Sequence, residues 1–128
     1  MDKKILSAAG FFGMTGILLG AFGAHGLKAV LSVEALATFE TGVKYQMYHA
    51  LFLLFVGLHS PLTSTLRTLL FRLIVLGIIL FSGSIYLLAT KSLTGLELKI
   101  LGPITPVGGL CFAVAWGVLM FSFLKKKA

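Results

Sequence analysis

Acidic side chains are almost missing from this chain. Its 128 residues hold only four, Asp2, Glu34, Glu40 and Glu97, and none falls inside a long apolar run. Proton-coupled carriers usually keep a carboxylate within a span, so that mark is absent. Charge of either sign is scarce too, at 12% of residues, where a soluble domain carries about a quarter. Water therefore cannot solvate most of the surface. The single cysteine, Cys111, rules out an intrachain disulfide and reads as a small packing residue. No HExxH, CxxC or phosphate loop occurs, which removes zinc-protease, dithiol and P-loop chemistry. Nothing in these absences names a substrate.

What remains is apolar: 58% hydrophobic residues and a mean hydropathy of +1.03. Four stretches, Ile5–Phe22, Val43–Leu58, Thr68–Ala89 and Pro106–Leu124, each approach the roughly 20 residues a helix needs to cross a bilayer core. The pattern predicts an all-α integral membrane bundle of four antiparallel transmembrane helices, one domain over residues 1–128. Lys3 and Lys4 before the first run, and Ala21, Gly23 and Ala24 after it, have the parts of a secretory signal. The run exceeds the about 7–15 residues of a signal core and reads as a retained span. Between the first two spans, Ser32 is placed to cap a helix. Leu36, Phe39 and Val43 share one face there and Glu34, Thr38 and Thr41 the other, which predicts a short interfacial amphipathic helix.

Small residues mark the packing surfaces. Gly16 and Gly20 form a GxxxG pair, and Gly109, Ala113 and Gly117 repeat every four residues. Such ridges let helices approach closely in lipid, within one bundle, in a homo-oligomer or against a membrane-protein partner. The glycine spacing is not G-x-G-x-x-G, so no dinucleotide loop is expected.

The formal net charge of +7 does not indicate nucleic acid, because the basic residues sit in short loops and tails; membrane lipids are the expected partner. With four spans, one side holds Lys3, Lys4, Arg67, Arg72, Lys125, Lys126 and Lys127, and the other Lys28, Lys44, Lys91 and Lys99. The positive-inside rule places both termini in the cytoplasm.

On that topology the polar intrusions gather toward the outer side. Tyr45, Gln46 and His49 share a face of the second span, and Ser82 and Tyr86 a face of the third. His25 ends the first span. Thr105 is placed to cap the fourth, with Pro106 at its first helical position. Polar groups at membrane depth normally face protein or a wet cavity. His25, Tyr45, Gln46, His49, Ser82, Tyr86 and Thr105 are thus ligand-binding candidates around a shallow pocket. The competing reading is that they bond helices together at about 1 kcal/mol each. Two histidines without a cysteine or carboxylate beside them fall short of a metal set. Ser82 and Ser84 lack a base and an orienting acid. No catalytic residue, metal or cofactor is expected.

Four segments resemble the signatures of a known family: Gly20–Leu27 (GAFGAHGL), Phe39–Leu51 (FETGVKYQMYHAL), Phe81–Tyr86 (FSGSIY) and Gly102–Gly109 (GPITPVGG). Together and in this order they are similar to the small four-span membrane proteins of domain of unknown function 423, which include bacterial inner-membrane proteins and resemble eukaryotic transmembrane protein 256. The resemblance implies fold and location, and no activity. The expectation is a non-enzymatic protein that binds a lipid or small amphiphile or scaffolds a partner. A small-solute transporter or channel is the alternative, and a membrane enzyme a more distant one.

Overall fold

The computed structural model describes residues 2–96 and 99–125, and among them every regular element is helical. Helix α1 is Lys3–His25, opened by Asp2, whose carboxylate accepts from the Ile5 N–H at 3.1 Å. A 3₁₀ turn at Leu27–Ala29 follows. Helix α2, Val33–Leu58, opens at Ser32, whose hydroxyl accepts from the Ala35 N–H. Helix α3 runs Ser64–Ala89; Thr63 caps it by accepting from the Leu66 N–H. Each cap satisfies one of the N–H groups left over at a helix start. The middle of α3, Ile78–Gly83, is wound as a π-helix between α-helical Ser64–Gly77 and Ser84–Ala89. A single turn, Lys91–Thr94, ends at Gly95, whose φ of 73° suits glycine. Helix α4 is Leu101–Lys125.

Among the described residues three helices are long and apolar enough to cross a membrane: Lys3–Ala29, Ser64–Ala89 and Leu101–Lys125. Helix α2 has the length, with 26 residues or about 39 Å of rise, but its first half is more polar.

Two expectations about helix ends are corrected. The amphipathic segment after Ser32 is no separate interfacial helix; it runs unbroken into α2. Its apolar face is used inside the protein, where Phe39 packs with Leu27, Leu31 and Ala89. The fourth helix starts at Leu101 and not at Pro106. Pro103 takes the early position where a missing N–H costs nothing, and Pro106 lies in the interior. Thr105 is therefore not a cap: its hydroxyl donates back to the Leu101 carbonyl at 3.1 Å.

The helices pack in sequence. Along α1 and α2, Leu6 meets Gly57, Met47 meets Gly16, Val43 meets Gly20 and Phe39 meets Gly23, the descending order of an antiparallel pair. Helix α3 lies between α2 and α4. The main core joins Leu53, Val56, Leu70 and Ile74, all fully buried, to Ile5, Phe112 and Ala115. All four helices contribute to it.

The tightest crossing is at Gly108. A Cβ there would collide with the backbone of α3, meeting the Phe81 nitrogen and lying 2.7 Å from the Leu80 carbonyl carbon. The α3–α4 seam follows Gly108, Phe112, Ala115 and Leu119, all buried. The ridge of Gly109, Ala113 and Gly117 is turned one residue off this seam. Ala113 is exposed, and nothing lies within 4 Å of a Cβ built at Gly117. Within the chain, Gly16 and Gly20 do sit against a neighbour, whereas Ala113 and Gly117 do not.

Backbone cannot yield as a flexible side chain does, so Gly108→Ala should cost about 1–3 kcal/mol, while Gly117→Ala should be near neutral. Unfolding titrations in mixed micelles measure both; equal effects would refute the crossing.

Candidate functional site

Gln46 and His49, the buried polar residues of α2, find partners on three other helices. Gln46, 3% exposed, sits at the centre. Its amide nitrogen donates to the Phe12 carbonyl at 2.9 Å and to the Thr15 hydroxyl at 2.8 Å, both on α1. Its amide oxygen accepts from the Tyr86 hydroxyl of α3 at 2.7 Å. One side chain thus joins α1, α2 and α3. The Thr15 hydroxyl in turn donates to the Phe11 carbonyl at 2.9 Å.

One turn earlier on α2, the absent side chain of Gly42 admits α3. A Cβ there would stand 2.8 Å from the Tyr86 ring and 3.0 Å from Ile85. The Ser82 hydroxyl, fully buried, donates to the Gly42 carbonyl at 2.8 Å. Ser84 lies two residues on and so points to the opposite side of α3, where its hydroxyl bonds the Thr105 hydroxyl of α4 at 2.5 Å. The π-wound turn ends between these two serines. Wide turns of this kind re-aim the side chains that follow them.

His49 makes the connection to α4. Its Nε2 lies 3.1 Å from the Trp116 indole nitrogen. An indole N–H can only donate, so Nε2 accepts and the ring proton sits on Nδ1. Nδ1 then donates to the Tyr45 carbonyl at 2.7 Å. The imidazole lies flat against Phe112, with centroids 3.6 Å apart and planes 6° off parallel. It is a neutral ring with both nitrogens paired.

Of the seven ligand-binding candidates, five meet across helices: Gln46, His49, Ser82, Tyr86 and Thr105. Tyr45 joins through its carbonyl, while its ring is 39% exposed and packs on Phe81 at 4.8 Å. His25 is exposed at the end of α1, and none of the bonds above reaches it. Sequence reasoning missed Thr15, Phe112 and Trp116. Trp116 did carry a signal, since it is the only tryptophan and stands mid-span. Tryptophans favour the membrane interface, and a buried indole N–H needs an acceptor.

Chemically this arrangement is closed. The Ser82 and Ser84 hydroxyls are engaged by main-chain carbonyls and by Thr105, and His49 by Trp116 and Tyr45. Among the described residues no three His, Cys, Asp or Glu side chains converge as a metal set would. Open space lies elsewhere. A groove of about 350 Å³ runs between α2 and α4, walled by Leu51, Phe55, Trp116, Leu119 and Phe123, with Tyr48 at one end. Two further grooves, of about 460 and 600 Å³, flank the first turns of α3.

An all-helical chain with long apolar helices, its polar groups turned toward one another, belongs to the class of helical membrane proteins. Residues 19–109 match the family described as Protein of unknown function (DUF423). A UPF0382 membrane protein of Staphylococcus haemolyticus is 45% identical over 112 residues, 88% of each chain. One of Haemophilus influenzae is 35% identical over 128 residues, 100% of this chain and 99% of that one. One of Bacillus subtilis is 39% identical over 109 residues, covering 84% and 85%. The chain belongs to this family of membrane proteins of unknown function. No solved structure matches it.

Trp116→Phe keeps a ring but strips the donor from a buried imidazole, which should cost about 1–3 kcal/mol. Adding His49→Leu should recover part of that loss, because no polar nitrogen is then left unpaired. Unfolding in mixed micelles checks the pair; a fully additive second loss would contradict the bond.

Proposed function

We propose that this protein is a four-span integral protein of the bacterial cytoplasmic membrane, with both termini cytoplasmic. It performs no chemistry and holds one apolar chain of a lipid or small amphiphile in the groove between α2 and α4. The four-span reading is supported by α2 itself. Its second half packs Leu53 and Val56 in the core, and the buried polar residues of that half, Gln46 and His49, meet partners on α1, α3 and α4. A helix whose polar side chains are satisfied by protein can cross hydrocarbon despite a modest hydropathy. The orientation rests on the basic residues, seven against four between the two sides.

The groove carries the binding reading. The backbones of α2 and α4 stay apart, bridged by rings: His49 on Phe112, and Phe52 edge-on to Trp116 at 4.6 Å. Beyond that bridge the cleft opens sideways, lined almost wholly by carbon. A cleft of this lining, facing acyl chains, suits a hydrocarbon tail. The amphiphile's polar end lies toward Tyr45 and Tyr48, whose exposed rings stand 5.6 Å apart at the more polar end of α2. The polar network beside the groove acts as a lock that holds its walls. The commitment of Ser82, Ser84 and His49 to structural bonds supports a non-enzymatic role.

Leu51 is 60% exposed on one wall, so Leu51→Trp should fill the cleft without disturbing the core. Native mass spectra of protein extracted in mild detergent should show an amphiphile retained by the parent chain and lost from the variant. Equal retention would overturn the groove reading.

A further inference from the structure

We infer that the end of the bundle bearing the chain termini carries a separate binding site for an anionic phospholipid headgroup, on the rim between α3 and α4. Two grooves meet there along one strip of α3. The first is lined by Ser64, Thr65, Thr68 and Arg72. The second, of about 600 Å³, is lined by Thr65, Leu69, Val118, Phe121 and Lys125. Thr65 and Leu69 line both, and each groove carries one cation, Arg72 in the first and Lys125 in the second.

The chemistry of the lining changes along the strip. Ser64, Thr68 and Arg72 recur on one helix face at steps of four, with Thr65 beside them, and Arg72 and Lys125 are exposed. Toward the hydrocarbon, the second groove offers Leu69, Val118 and Phe121, three apolar walls. Ser64, Thr65, Thr68 and Lys125 stand nearest the helix ends, with Phe121 and Val118 one to two turns deeper on α4. Arg72 lies two turns into α3, and its long side chain can reach back toward the rim. Polar groups at the rim over apolar walls match a phospholipid, phosphate first and then acyl chains. Basic pockets between membrane helices at the cytoplasmic face take anionic headgroups in this way.

Charge complementarity selects that occupant over a neutral lipid. Lys3, Lys4, Arg67, Arg72 and three lysines from Lys125 onward share this side with one acid, Asp2. Asp2 is occupied in capping α1. Arg67 is spent locally, donating to the His59 carbonyl at 2.8 Å, and Arg72 and Lys125 are the described cations lining these two grooves. The site rests on the four-span reading only in so far as that sets this rim at headgroup level. It is independent of the α2–α4 groove.

The test is native mass spectrometry of the full chain in micelles, titrated with phosphatidylglycerol, with phosphatidylcholine of the same acyl chains and with inorganic phosphate. The parent chain should prefer phosphatidylglycerol to phosphatidylcholine by on the order of tenfold and take up no inorganic phosphate at the same concentration. Arg72→Gln with Lys125→Gln should abolish the preference, while Lys91→Gln with Lys99→Gln, an equal loss of charge at the other end, should keep it. Thr65→Val should weaken it less, and helical circular dichroism should be unchanged in every variant. Equal binding of the two lipids by the parent, or an equal loss in both double variants, would overturn the site. Uptake of free phosphate would point to a soluble anion instead and also overturn it. The Leu51→Trp variant should keep the preference, and labelling of cysteines added at each terminus reports the orientation, so failure of the earlier reading is seen separately.

Discussion

A buried primary amide must find its partners within the protein, and the arrangement of this bundle follows from how Gln46, 3% exposed, finds them. Its nitrogen reaches a carbonyl and a hydroxyl on α1 while its oxygen takes the phenol proton of α3. These bonds fix the rotation and the depth of three helices together. A slip of one residue along either partner would leave an amide group unpaired in the bundle. Each bond in a membrane is worth little on average, so the network acts less as a store of stability than as a selector of register.

Small residues make the register geometrically accessible. Gly42 lets the Tyr86 ring come close enough for its hydroxyl to reach Gln46, and Gly16 lets Gln46 and Met47 lie against α1. On the far side of α3 the same division of labour recurs, with Gly108 bringing the backbones together and the Ser84–Thr105 bond beside it. His49 works differently. It reaches α4 across a gap that aromatic rings fill, and that gap is why a cleft remains between α2 and α4. The bundle is tight where glycines face neighbours and open where rings do.

Hydropathy made α1, α3 and α4 legible as helices long and apolar enough to cross a membrane, and Gln46, His49, Ser82 and Tyr86 were legible as groups that need partners. The partners themselves were not. Thr15 sits in a glycine-rich apolar run, and only the α1–α2 crossing shows that it faces Gln46. The amphipathic face at Leu36, Phe39 and Val43 has the same pattern whether it lies on a membrane surface or packs against Leu27, Leu31 and Ala89. Thr105 followed by Pro106 reads as a helix start, yet Pro103 has the same allowance three residues earlier, and it is Pro103 that holds the early position. The four-residue repeat at Gly109, Ala113 and Gly117 located small residues without saying which face a neighbour would use; the seam runs through Gly108. The π-wound turn in α3 has no local sequence signal of its own.

The Gln46–Tyr86 bond is the link on which the packing of α2 against α3 most depends, and a double-mutant cycle of Gln46→Leu and Tyr86→Phe tests that bond directly. Measured by reversible unfolding in mixed micelles, the two substitutions should be non-additive, with a coupling of about 0.6–1.7 kcal/mol. Strict additivity would mean that the amide and the phenol do not meet, and the registered four-helix arrangement would lose its central contact.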